Sequence, residues 1–149
     1  MRLTRFTDYA LRLLIFIANN QGRRVTIAEA AVFHGISRNH LMKVAQRLSE
    51  SALLRASRGR SGGLALGRPA EAISLGDVLR ITEPDFALVG CMAGDGCTYM
   101  GYCRLPAALN ASVAAFLQCA DQQKLSSFSE PNASGDMQMQ LPGVGLPIS

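Results

Sequence analysis

The sequence contains no hydrophobic run long enough to cross a membrane. Its longest strictly aliphatic or aromatic stretch, Leu13–Ala18, falls far short of the ~18 residues that a spanning helix needs. Histidine is scarce: the only two, His34 and His40, lie far in sequence from the cysteines, and no Ser/His/Asp arrangement is visible, so an enzyme is not expected. The Gly-Lys-Ser/Thr ending of a P-loop is missing, which removes a nucleotide-cradling reading of the Gly-rich stretch near residue 60. Short Cys-x-x-Cys pairs are missing as well, which disfavours a closed zinc site. The N-terminal 20 residues superficially mimic a signal peptide. Arg12 interrupts their apolar stretch and no small-x-small cleavage site follows, so a cytoplasmic protein is expected.

What is present is 149 residues, 48% of them hydrophobic, enough for one domain or a compact two-part unit with a real core. The formal net charge of +4 conceals an asymmetry. Residues 1–68 carry twelve Lys+Arg and three acids, net +9, whereas residues 69–149 carry three basic residues and eight acids, net −5. A basic half joined to an acidic half suggests a polyanion-binding module coupled to something else.

Apolar periodicity predicts a first amphipathic helix through Phe6, Ala10, Leu13, Leu14, Ile17 and Ala18, ended by Asn19–Gly22. Thr26 and Glu29 have the spacing of a capping box for a short second helix that stops at Gly35. Ser37 is placed to cap a third helix with Leu41, Val44, Ala45 and Leu48 on one face. Two helices joined by a Gly-containing turn form a helix-turn-helix, whose second helix offers its first residues to base edges in the major groove. Those residues here are Ser37, Arg38, Asn39 and His40, and Arg and Asn are suited to bidentate readout of guanine and adenine. Lys43 is expected on phosphate, whereas Arg47 is about equally suited to a solvated helix face.

Leu53–Leu66 reads as two short strands around a Gly-rich turn, a wing whose tip residues Arg58 and Arg60 approach phosphates or the minor groove. A fourth helix opens at Ser74 and is stopped by Pro84. After the cysteines, Leu105, Leu109, Val113, Phe116 and Leu117 mark a long helix with one apolar face, suited to core or to a second copy of the chain. The expected fold is mainly α with a small β-hairpin: a winged helix-turn-helix over 1–68, a cysteine loop and dimerisation helix over 69–125, and a flexible tail over 126–149.

Cys91, Cys97 and Cys103 are spaced six apart, with Gly94, Gly96 and Gly101 between them. In a reducing compartment such clustered thiols suit metal binding or redox sensing, and thiolates select zinc or iron–sulfur chemistry. Three cysteines leave one coordination position for another residue type. Cys119 is expected to be a small buried hydrophobe on the long helix.

RLTRFTDYALRLL, SRNHLMKV, RGRSGGLALG and the Cys-x5-Cys-x5-Cys loop together resemble, in order and spacing over roughly residues 1–125, the winged-helix iron–sulfur repressors that include NsrR and IscR. IscR-like members carry a cluster-ligating histidine three residues after the third cysteine, where this chain has Pro106. Phe6-Thr7-Asp8-Tyr9 is instead similar to the motif of the NsrR-like, nitric-oxide-sensing branch. The resemblance implies a 4Fe–4S cluster (2Fe–2S is the alternative) held by Cys91, Cys97 and Cys103, with Asp8 of the partner chain as fourth ligand. It also implies a homodimer that represses from a palindromic operator and releases DNA on nitric oxide. Three other readings stay open. Asp8 is also a helix-start acid paired with Arg12 at i+4, and the cysteines also suit a thiol redox switch without a metal. A scaffold or cluster-transfer role would instead put RNA or a protein on the basic half.

Overall fold

A computed structural model describes residues 2–57, 59 and 62–129. Chain order is α1 (Arg5–Asn19), α2 (Ile27–His34), α3 (Arg38–Glu50), β1 (Leu54–Ser57), β2 (Gly63–Leu66), α4 (Leu75–Thr82) and α5 (Leu105–Gln122). Single 3-10 turns occur at Ala70–Ala72, Gly90–Met92 and Leu125–Phe128. The expected architecture of helices with one small antiparallel hairpin is therefore observed. Among the described residues, no helix is long and apolar enough to cross a membrane.

The helix starts follow the capping chemistry written in the sequence. The Thr26 hydroxyl accepts from the Glu29 N–H, and the Glu29 carboxylate accepts from the Thr26 N–H at 2.7 Å, closing a capping box at α2. Ser74 and Asp77 build the same device at α4. Gly35 ends α2 in the left-handed region at φ 63°, a conformation that a side chain disfavours. Ser37 caps α3 through the His40 N–H.

The core forms where the apolar stripes of α1 and α3 meet. Leu13, Leu14, Leu41, Val44 and Leu48 are fully buried, and Leu53, Leu54 and Leu64 extend the cluster under the hairpin. In the hairpin Leu54 pairs with Leu66 and Ala56 with Leu64, while Val25 bridges the other edge of β2 at Leu64. Arg58 and Arg60, at the tip, lie outside the described residues.

Ala70, Ile73, Val78 and Leu125 join the same core, so α4 and the turn after α5 pack onto the N-terminal helices. Packed chain thus continues past residue 125: Leu125 and Ser129 are buried, and the rest of the expected tail, 130–149, lies outside the described residues.

The C-terminal end of α5 is tied down in three ways. The Leu75 N–H donates to the Gln123 carbonyl, and the Leu125 N–H donates to that of Ile73, both at 2.8 Å. Arg80 on α4 grips Asp121 on α5 with two bonds, at 2.5 and 2.8 Å. That pair holds the Asp121 carboxyl below the usual carboxylate range. Elsewhere α5 is only partly covered: of its residues only Ala120 is buried, Leu109, Val113, Phe116 and Leu117 are half-buried, and Leu105 is 51% exposed. The expectation that Cys119 is a buried hydrophobe is corrected here. Cys119 is exposed, because α5 meets its own chain through Ala120 and the Asp121 end while the Cys119 face points away.

Candidate nucleic-acid interface and cysteine loop

The burial pattern of α3 divides its surface in two. Leu41, Val44, Ala45 and Leu48 face the core, which leaves Arg38, Asn39, His40 and Lys43 together on the exposed side. The side chains of Arg38, Asn39 and Lys43 make no hydrogen bond or ion pair among the described residues, so their donors are free for a ligand. Ser37 has its hydroxyl engaged by the cap, at 3.3 Å from the His40 nitrogen. Arg47 differs from its neighbours: its Nε donates to the Ile81 carbonyl at 3.2 Å, and its Nη1 lies 3.8 Å from Glu50. Arg47 therefore fastens α3 to α4.

Asp8 sits in the first turn of α1, where the helix dipole favours a carboxylate. Its Oδ1 accepts from Arg12 Nε at 3.0 Å, and both side chains are about half exposed, so the pair adds little stability and leaves Oδ2 available. The next residue, Tyr9, turns to the other side and places its ring 6.0 Å from that of His40. Tyr9, His40, Arg5 and Lys43 line a hollow of about 230 Å³ between the start of α1 and α3. The turn of α1 that carries Asp8 thus also carries Tyr9, which meets the exposed start of α3.

That turn of α1 is clamped to the end of α4. Glu83 Oε1 accepts from the Thr4 N–H at 2.9 Å, from the Thr4 hydroxyl at 3.1 Å and from the Thr7 hydroxyl. Thr7 is fully buried, with Thr82 Oγ1 a further 2.8 Å away. The polypeptide that leaves this clamp at Pro84 runs directly into the cysteine loop. Sequence spacing could not have found the clamp, because Thr4 and Glu83 are 79 residues apart.

The loop itself is solvent-facing. Cys91 is half-buried in the 3-10 turn Gly90–Met92, and Cys97 and Cys103 are exposed. Gly94 at φ 98° and Gly101 at φ 89° make its reversals in the left-handed region. Cys103 Sγ accepts from the Leu105 N–H at 3.4 Å, so the third thiol sits on the N-terminus of α5. Backbone donation of this kind is one of the features that tune the sulfur ligands of iron–sulfur clusters. Tyr102, beside it, is 93% exposed, and Tyr99 and Met100 are also exposed.

Within one chain, among the described residues, no three His, Cys, Asp or Glu side chains converge closely enough to hold a metal ion. The structure places Cys91, Cys97 and Cys103 on one loop but does not gather their sulfurs, and it does not bring Asp8 to them. The donor chemistry nevertheless fits an iron–sulfur centre: three thiols, one of them with a backbone donor, and a carboxylate with a free oxygen.

His34 is the last residue of α2. Its ring packs between Phe16 and Phe33, and its Nε2 is buried with no hydrogen-bond partner among the described residues. Burial first, and the Arg12 charge second, push its pKa down and keep it neutral. A contact with the Arg12 backbone and the Asp8 charge push back.

Comparison with known proteins agrees with this geometry. Residues 3–131 match the family model described as "Rrf2: Iron-dependent Transcriptional regulator". Among solved structures, the global cysteine regulator CymR of B. subtilis is similar, with a TM-score of 0.69 at 20% identity, over 85% of this chain and 94% of that one. The oxidized form of CymR from Staphylococcus aureus gives 0.67 at 24% identity, over 84% and 93%. IscR of T. potens gives 0.68 at 19% identity, over 85% and 84%. At such identities the structures speak to the fold, whereas the family match spans most of the chain. The chain belongs to the Rrf2 family of winged-helix transcriptional regulators.

Proposed function

We propose that this regulator is a DNA-binding repressor that senses nitric oxide through an iron–sulfur cluster, 4Fe–4S in type, held by Cys91, Cys97 and Cys103 of one protomer and Asp8 of its partner in a homodimer. The observation that carries the reading is the placement of Asp8. It stands on the same helical turn as Tyr9, whose ring lies against His40 on the reader helix. Three thiols with glycine-assisted reversals stand on a single solvent-facing loop. When bound, the cluster supplies iron to which nitric oxide attaches.

The chain's own residues supply the rest. Residues 1–68 act as the DNA-binding part and 69–125 as the sensing and dimerising part. Arg38, Asn39 and His40 read bases, while Ser37, Lys43, Arg58 and Arg60 hold phosphate or the minor groove. Asp8 fastens α1 of one protomer to the loop of the other. Glu83 fastens the same turn of α1 to the root of its own loop. With both fastenings made, two reader helices are held at one spacing, as binding to two half-sites about one DNA turn apart requires. With the Asp8 fastening released, that spacing is no longer enforced. The apolar face of α5, with Leu109, Val113 and Phe116 only half-buried in their own chain, is the surface for the second copy.

A second reading has its own support. Cys97 and Cys103 are free and exposed, and one similar structure is the oxidized form of S. aureus CymR. In that reading thiol oxidation, with no metal, moves the same loop. The two separate on metal-free protein. A thiol switch releases duplex DNA on peroxide and recovers with a dithiol, whereas the cluster reading predicts no peroxide response before iron and sulfide are restored.

A further inference from the structure

A second basic feature lies away from the reader helix, at the root of the wing. The turn after α1, the outward face of β1 and the segment leaving β2 enclose a cleft of about 520 Å³. Arg23, Arg55 and Arg68 line it, against one carboxylate, Glu71. The three guanidiniums are not equally engaged. Arg23 is committed through Nη1 to Glu29 at 2.9 Å and through Nη2 to Asn20 at 2.8 Å. Arg68 reaches Asp77 only at 3.6 Å, and that carboxylate already closes the capping box of α4. The Arg55 side chain makes no hydrogen bond or ion pair among the described residues.

The local fold explains why Arg55 stands free. Strand alternation turns Leu54 into the core and Arg55 outward, and the residue opposite Arg55 on β2 is Ala65. A small partner leaves room over the strand and offers no counter-charge. The cleft is therefore lined at this strand pair by ladder-paired backbone and Ala65, with the guanidiniums beside them. A planar fork of donors with no protein acceptor matches the tetrahedral oxygens of a phosphate, which it binds by paired charge-assisted bonds. Partial enclosure raises the strength of such pairs over those on open surface.

We propose that this cleft is a phosphate-binding site, with Arg55 as its principal ligand and Arg68 and Arg23 as flanking charges. It is separate from the base-reading and cysteine surfaces. The phosphate can come from DNA backbone running past the wing or from a free phosphorylated small molecule that would act as an effector.

The test uses the full-length protein with Arg55→Gln, which removes the charge from an exposed position, and Ala65→Glu, which sets a carboxylate opposite it. One arm follows thermal unfolding with pyrophosphate against sodium chloride of equal ionic strength. The other follows duplex affinity against salt concentration. A pyrophosphate-induced rise in Tm, absent in both variants, identifies the free small-molecule source. A wild-type salt slope steeper by about one charge than that of either variant identifies the DNA backbone. Equal Tm responses together with equal salt slopes in all three proteins would overturn the proposal.

Discussion

Replacing Glu83 by Ala should loosen α1 from α4, and the size of the effect follows from its three donors. A hydrogen bond to a charged group contributes about 1.5–3 kcal/mol net. The two Thr4 donors lie near solvent at the helix start, so water replaces most of what they lose. Thr7 is fully buried, but its single proton can turn to Thr82 Oγ1 at 2.8 Å, which recovers part of its loss. The carboxylate also sits at the positive end of α1, an effect of about 0.3–1 kcal/mol. The sum is about 2 kcal/mol, or ~6 °C in Tm for a chain of this size. Thr7→Val, close to isosteric, should cost about 1.5 kcal/mol. Because both variants break the same bond, the double variant should cost about 1 kcal/mol less than their sum. Urea or thermal unfolding at one fixed protomer concentration measures all four corners of the cycle. Additivity within ~0.4 kcal/mol would refute the clamp.

Other perturbations discriminate between parts of the structure. Arg38→Ala should lower operator preference by about 1–3 kcal/mol at one base pair, whereas Lys43→Ala should weaken all duplexes alike and flatten the salt slope; binding to operator and scrambled DNA checks both. Gly67→Ala would bring a Cβ to 2.2 Å from the Ala52 carbonyl oxygen, a backbone atom that cannot swing aside. It should cost about 1–3 kcal/mol in unfolding experiments and misplace the wing. Glu29 has its pKa lowered, chiefly by the Thr26 backbone N–H. Its contribution is therefore present above the unfolded value near 4.5 and is lost as pH falls through the folded one. Glu29→Gln should be less stable than wild type at pH 7, with the gap closing below pH ~4, as read from stability against pH.

Local chemistry made most of this fold legible in the sequence. Thr26 with Glu29, Ser37 and Ser74 each announce a helix start through a side chain that satisfies nearby N–H groups. Gly35 announces a helix end through its left-handed backbone. The stripe Leu41, Val44, Ala45, Leu48 identified both the buried and the exposed side of α3, since the second is the complement of the first. What spacing did not reveal depends on contacts between distant segments. Glu83 serving α1, Arg80 gripping Asp121 and Arg47 turning to α4 are each set by tertiary packing. Cys119 was misjudged for the same reason: helical period shows which residues share a face, but not which face the chain covers. The cysteine loop stands out in the sequence by residue type and spacing, whereas among the described residues its sulfurs are not gathered within one chain.

The most direct measurement is an anaerobic nitric oxide titration of the as-purified dimer, followed at once by visible absorbance, by iron and sulfide content and by anisotropy of a bound duplex. The cluster reading predicts iron and sulfide near four each per protomer, and broad absorbance whose change runs parallel to loss of duplex binding. In Asp8→Ala, absorbance and DNA release should no longer run in parallel. A colourless protein that carries stoichiometric zinc, or an Asp8→Ala variant with the spectrum and nitric oxide response of wild type, would contradict it.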